Sequence, residues 1–330
     1  MPDHVLHFQS GMQAQKFHAA ILVTLAAFVL TSSQSTGTAA QAVRDGDKVA
    51  ELWQPPHDIA ARDLFHGPGG AELMPKHDTP FTWLATDATG YSPGFDVRGH
   101  DSRKWSVKLG PEAQTEVVAS RILWAIGYHQ PPNYFVKSWH LSGGPGGQQS
   151  EARFRTDFDG FQVIGDWSWK QNEFLDTQPF RGLIVANILL NSWDWKTSNN
   201  KIYRHADGAR RFVVRDLGAS LGKTSGSKLL WTIPIRGFGQ GTRNDIEGFE
   251  SQGFIKQVGE NDVEFDFDTI YGSVVDLVRP ADVKWTAELL SRITDAQWDD
   301  AFRAAHYTPE IRARFIKKIK AKIAEGLAVS

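Results

Sequence analysis

Five residues of this chain stand in an order that chemistry could use: Lys108, Glu116, Asp194, Asn199 and Asp216. Moving a phosphoryl group from a nucleotide to a hydroxyl requires a lysine on the phosphates and a glutamate to hold that lysine. It also requires an aspartate at the acceptor and an Asn/Asp pair for the metal ions. Taken singly, each residue has an ordinary explanation. Lys108 suits an exposed strand, Glu116 is a favourable charge near a helix N-terminus, and Asp194 and Asn199 favour turns; Asp216, before Leu-Gly, suits a turn cap. Together and in this order they point to a nucleotide–metal site, with ATP and Mg²⁺ (or Mn²⁺) as the expected cofactors. Glu112 competes with Glu116 for Lys108, and Asn200 competes with Asn199 as metal ligand.

The elements that must carry these residues are legible in outline. Residues 81–85 and 95–97 are β-type runs around a Gly-Tyr-Ser-Pro-Gly turn, and 105–109 alternates with the period of a strand that ends near Lys108. Pro111 suits a first helical turn, and apolar residues from Val117 to Ile126 recur at helical spacing until Gly127. Residues 134–141 and 152–158 read as further strands, joined by a glycine-rich hairpin loop with no phosphate-binding helix behind it. A dense apolar helix over 180–191 precedes the polar loop 191–200 that holds Asp194 and Asn199. Short strands at 201–203 and 212–214 lead into Asp216, and the chain is then glycine-rich to about residue 253. Residues 262–268 alternate as a half-buried strand, and three amphipathic helices follow over 281–293, 295–305 and 308–325. The expected class is α+β and bilobal: a β-rich N-terminal lobe with one helix over 81–160, then a mostly helical lobe over 161–330.

These pieces resemble a known group. Trp105-Ser106-Val107-Lys108 resembles the protein-kinase strand that ends in the ATP lysine. Glu116 to Ala119, with Leu123, Ala125 and Gly127, resembles the helix of HipA-like kinases. The loop 191–200 is similar to the HipA-type catalytic loop, with Asp and Asn five apart, and Asp216 follows Asn199 by 17 residues as in that group. CotH-type and secretory-pathway kinases share this reduced architecture and also work outside the cytosol. The resemblance spans roughly residues 81–325. It implies that Lys108, held by Glu116, binds the α- and β-phosphates, that Asn199 and Asp216 hold the metal, and that Asp194 orients or deprotonates a hydroxyl acceptor. The acceptor is open between protein, glycan and lipid. Three departures stand out: Trp193 takes the place of the Arg of His-Arg-Asp, Asp-Leu-Gly replaces Asp-Phe-Gly, and no G-x-G-x-x-G occurs. The nearest substitute for that loop is 90–94, in which Gly90, Ser92 and Gly94 would cap the phosphates.

Composition narrows the partners. A net charge of −2 gives no basic footprint, so nucleic acid is not an expected partner. The absence of cysteine excludes disulfides, thiolate metal sites and a Cys nucleophile, and the histidines show no paired metal spacing on a common helix. Ser220 and Ser225 lack the context of a hydrolase nucleophile. Lys317, Lys318, Lys320 and Lys322 place positive charge near a helix C-terminus, a structural arrangement. Residues 1–42 carry a charged start, the apolar run 19–30 and a small-residue cleavage site, with Met12 as an alternative start. Twelve apolar residues are too few to span a bilayer, which takes about 20. The expectation is therefore a cleaved signal, no stable membrane insertion afterwards, an irregular extension over 43–80 and a periplasmic or secreted protein. Little ATP is held outside the bacterial cytoplasm, which favours a rival: an inactive pseudokinase, or a module whose Trp167, Trp169, Trp193 and Trp195 bind glycans or proteins.

Overall fold

The structure, a computed structural model, describes residues 48–88, 91–224 and 241–330. The expected signal segment and Gly90 lie outside these residues. The chain divides at Lys48, and everything below concerns the unit Val49–Ser330.

Three antiparallel strands open the sheet: β1 (Phe81–Asp87), β2 (Gly94–Arg98) and β3 (Lys104–Leu109). Helix α1 (Glu112–Ala125) follows, then β4 (Asn133–Val136), β5 (Trp139–Ser142), β6 (Gly147–Gln149) and β7 (Ala152–Arg155). The seven strands lie in the order β4-β7-β3-β2-β1-β5-β6, and β1 pairs with β5 in parallel. Residues 134–141, expected as one strand, are two: apolar alternation continues across Lys137-Ser138, but β4 pairs with β7 while β5 crosses to β1. Val136 and Trp139 are three residues apart, at most about 11 Å of chain. Strands near opposite ends of the sheet are therefore neighbours in space, and the sheet curls round its own core. That core contains Phe81, Val97, Trp105, Val107, Trp139, Leu141 and Phe154. With Trp105 and Val107 inside it, the period of two sends Ser106 and Lys108 to the other face. Arg153 and Arg155, flanking Phe154 on β7, share that face.

Beyond the sheet, β8 (Phe161–Asp166) leads to α2 (Gln178–Leu189), whose N-terminus is capped by Thr177 Oγ1 accepting from the Phe180 N–H. Strands β9 (Asn200–His205) and β10 (Arg210–Val214) complete a three-stranded sheet ordered β10-β9-β8. Strand β8 has no counterpart in the sequence reading, because its register shifts between Val163 and Gly165 and both Val163 and Ile164 are exposed. Then come α3 (Ile246–Ser251), the ribbon β11 (Ile255–Val258) and β12 (Val263–Phe265), α4 (Gly272–Val275), and the helices α5 (Pro280–Ser291), α6 (Asp295–Ala304) and α7 (Pro309–Leu327). In β12 Val263 and Phe265 are buried and Glu264 is exposed, the alternation expected of a half-buried strand. The protein is thus α+β, with a curled β-rich N-terminal part and a mainly helical C-terminal part. Among the described residues no helix is long and apolar enough to cross a membrane.

Helix α1 joins the two parts. Twelve of its 14 residues are buried, all but Gln114 and Trp124. Its apolar side chains Val117, Val118, Ile122 and Leu123 belong to the larger core shared with α2 and the C-terminal helices. The helix that positions Glu116 is therefore packed on all sides.

One of the C-terminal lysines is structural in a specific way. Lys322, on α7, is 2% exposed and donates to Leu189 O at 3.1 Å and Asn191 Oδ1 at 2.8 Å, tying α7 to the end of α2. Burial, with Lys318 adding to it, lowers its ammonium from 10.5 to about 7. A neutral amine still has a hydrogen for each acceptor. Between these two values the unfolded chain holds a proton that the folded chain has released, so stability at this position rises with pH from about 7 to 10.5. The unfolding free energy in urea is expected to climb across that window in the natural chain and to climb less in Lys322→Met. Equal slopes would refute this assignment.

Candidate functional site

Lys108 is where the chemistry converges. Its Nζ donates to Asp216 Oδ1 at 2.5 Å and stands 3.0 Å from Glu116 Oε2 and 3.5 Å from Glu112 Oε2. Three elements thus meet at one ammonium: the end of β3, the first turns of α1 and, from about a hundred residues on, the residue just past β10. Burial alone would lower the pKa of Lys108, but Asp216, Glu116 and Glu112 outweigh it and raise the group above its ordinary value. It is a permanent cation here.

The two glutamates that competed for Lys108 both touch it, in different settings. Glu116 is 0% exposed. Its Oε1 accepts from Arg155 Nη1 at 2.6 Å and lies 3.0 Å from Arg153 Nε. Burial would raise this carboxyl, yet Arg153, Lys108 and Arg155 together hold it below the ordinary carboxylate range. Glu112 faces the cleft instead, accepting from Ser92 Oγ at 2.9 Å and pairing with Arg243 Nε at 2.8 Å. Ser92, expected to cap phosphates, is thus engaged with Glu112. Gly94 pairs with Lys108 across β2 and β3, and a Cβ there would meet Val107 O at 2.3 Å. Its glycine lets the two backbones approach.

Asp216 combines burial pressure, which would raise its pKa, with the proximity of Lys108, Arg155 and Arg153, which hold it well below the carboxylate range. Its side chain keeps 39% exposure to the cleft, so water there moderates both influences. The amide N–H groups of Arg215 and Asp216 donate to Asn199 O at 2.9 and 3.2 Å, which ties the loop after α2 to Asp216. Asn199 Nδ2 donates to Asp194 O at 2.8 Å, leaving Oδ1 as its acceptor group. Asn200 is fully buried and donates to Trp167 O, away from the cleft that Asn199 lines.

The loop holds Asp194 outward by burying its neighbours. Trp193 and Trp195 are each 1% exposed; Trp195 stacks on Trp169 with centroids 4.7 Å apart, and Trp193 Nε1 donates to Thr242 O at 3.0 Å. Trp167 and Trp169 are buried as well. This corrects the rival expectation of a tryptophan-rich binding surface: the four rings form the seat of the loop, because an aromatic side chain gains more from core packing than from exposure.

Asp194, Asn199, Lys108, Glu112 and Asp216 line one cleft of about 700 Å³. Seven of its lining residues are cationic and four acidic, which suits a polyanionic ligand. All of those cations but Lys108 escaped the sequence reading: Arg153, Arg155, Lys196, Lys201, Arg215 and Arg243. Lys196 Nζ lies 2.9 Å from Asp194 Oδ2. Its signal was its place two residues after Asp194; that of Arg153 and Arg155 was the Arg-Phe-Arg alternation on β7.

No family model matches the sequence, and no curated protein does. Among solved structures, a Helicobacter pylori proinflammatory kinase, CtkA, matches with a TM-score of 0.44 and 10% identity, over 76% of this chain and 96% of that one. The α+β architecture described here stands on the element order and sheet topology, not on that likeness.

The donor set fits a hard divalent cation. Asp216 and Asn199 offer only oxygens, as Mg²⁺ requires, and their backbones are joined directly. Among the described residues no three His, Asp or Glu could by themselves hold a metal ion. Two oxygen ligands beside a cationic cleft match a metal that is shared with phosphates.

Proposed function

We propose that this protein is a kinase-like phosphotransferase that moves the γ-phosphoryl group of ATP to a hydroxyl. The observation that carries this reading is the meeting of Lys108 with Glu116 and Asp216 at the cation-lined cleft. Lys108 would bind the α- and β-phosphates while Glu116 holds it in place. Asn199 and Asp216 would hold Mg²⁺, which when bound supplies neutralisation of phosphate charge. Asp194 would orient the acceptor hydroxyl and accept its proton, with Lys196 beside it to stabilise charge on the transferred group. Protein, glycan and lipid hydroxyls are the acceptor classes to test. The spacing of Asp194, Asn199 and Asp216 favours a HipA-like placement, and the N-terminal sequence favours action outside the cytoplasm.

One feature favours the pseudokinase alternative: Trp193 before Asp194 removes the interactions that a His-Arg pair would make. Incubation with γ-labelled ATP and Mg²⁺ separates the two. Label is expected to pass to the protein itself or to an added acceptor. Asp194→Asn is expected to slow transfer by on the order of 10²–10⁴ while nucleotide affinity stays within a few-fold. Binding of Mg·ATP without transfer by the natural chain would leave the pseudokinase standing.

A further inference from the structure

We infer that Arg155 is a positioning residue that fixes Glu116 and couples it to Asp216, so that the site stands assembled without an activating partner or modification. The inference rests on the phosphotransferase reading for its purpose, but its geometry is independent of it.

Arg155 Nη1 makes two hydrogen bonds, to Glu116 Oε1 at 2.6 Å and to Arg215 O at 3.1 Å. One guanidinium thus joins α1 to the backbone immediately before Asp216. Arg153, 1% exposed, places Nε 3.0 Å from the same Oε1 and donates from Nη1 to Ser106 O at 2.7 Å, on the strand that carries Lys108. Glu116 Oε1 is therefore committed to β7. Its Oε2 accepts no hydrogen bond among the described residues, although Lys108 Nζ stands 3.0 Å away. The hydrogen bond of Lys108 goes to Asp216 instead.

This division of labour has a consequence. Were Glu116 held by Lys108 alone, any movement of the lysine toward phosphates would release the glutamate, and α1 with it. Because two arginines hold Oε1, Lys108 can leave Asp216 and turn toward Oε2 and the phosphates without disturbing the helix. Asp216 is then free for a metal ion. The burial of α1 on all sides points the same way: a helix cemented into the main core does not swing.

The alternative is that Arg155 merely neutralises a buried carboxylate. Arg155→Lys distinguishes them, since an ammonium can supply the charge but ends one bond short of Nη1, the single nitrogen that reaches both Glu116 and the Arg215 carbonyl. Hydrogen exchange of the full chain, without nucleotide, is expected to rise together in the first turns of α1 and in 215–218, by on the order of tenfold. Urea-unfolding stability should stay close to that of the natural chain. Mg·ATP affinity, by calorimetry, is expected to fall by a similar factor. Unchanged exchange at 215–218, or a rise confined to α1, would overturn the coupling. Should the lysine variant not fold, Arg155→Gln, which retains a donor, takes its place in the same measurements. If the natural chain takes up no Mg·ATP, the phosphotransferase reading falls, while the exchange result still decides the coupling.

Discussion

Replacing Glu116 with leucine is expected to cost the protein a large part of its stability. The carboxylate is fully buried among Lys108, Arg153 and Arg155, and among the described residues Glu116 is the acid that forms an ion pair with Arg153 and with Arg155. Removing one partner of a buried ion pair costs about 3–5 kcal/mol, because the opposite charge stays behind without compensation. A domain commonly has only about 5–15 kcal/mol in total. Arg153 is already lowered to about 10 by burial and by Arg155, with Glu116 opposing that shift, so loss of the acid would drive it further. Urea unfolding measures the effect directly. The same carboxyl sets an acid limit: its pKa is lowered from 4.5 on folding, so its contribution is complete above that pH and is lost only as pH falls through the lower folded value. A loss under about 1 kcal/mol in Glu116→Leu would mean that the three cations do not depend on it.

Asp216→Ala is expected to do the opposite: to leave stability nearly intact and to abolish phosphoryl transfer. Its side chain is 39% exposed, and Lys108 keeps Glu116 at 3.0 Å and Glu112 at 3.5 Å when it is gone. Loss of such a partly solvated pair changes stability by about 1 kcal/mol or less. Function is another matter, because Asp216 is the only carboxylate of the two residues assigned to the metal. Removing a group that stabilises transition-state charge lowers turnover on the order of 10³ or more. Melting curves and labelled-ATP transfer, run side by side, check both halves. A variant that melts early, or that transfers phosphate at the natural rate, contradicts the role given to Asp216.

The contrast between these two carboxylates explains what sequence could and could not reveal. Lys108 and Asp216 were legible because each follows a short strand-like run that ends at a loop, and Glu116 because it sits in the first turns of a helix marked by Pro111. Order along the chain carried that much. Arg153 and Arg155 were not legible as site residues: two arginines on a strand are ordinary until β7 is known to lie beside β3, with Arg153 opposite Lys108. The choice between Asn199 and Asn200 likewise turns on burial, since adjacent residues point opposite ways. The four tryptophans show the limit from the other side, because aromatic clustering near a loop looks the same whether the rings face solvent or the core. Strand β8 stayed hidden since a bulge breaks the period on which strand recognition depends. Residues 134–141 merged two strands because pairing partners, unlike alternation, are not written locally.

The central claim is that the cleft at Lys108 binds a nucleotide together with a divalent cation, and calorimetry of the natural chain with ATP tests it most directly. With Mg²⁺ or Mn²⁺ present, saturable binding is predicted, along with a rise in melting temperature that corresponds to about 2.7 kcal/mol at a hundredfold excess over Kd. Without metal, or in Asp216→Ala, the binding should weaken sharply. No heat and no shift with ATP and either metal would contradict the account.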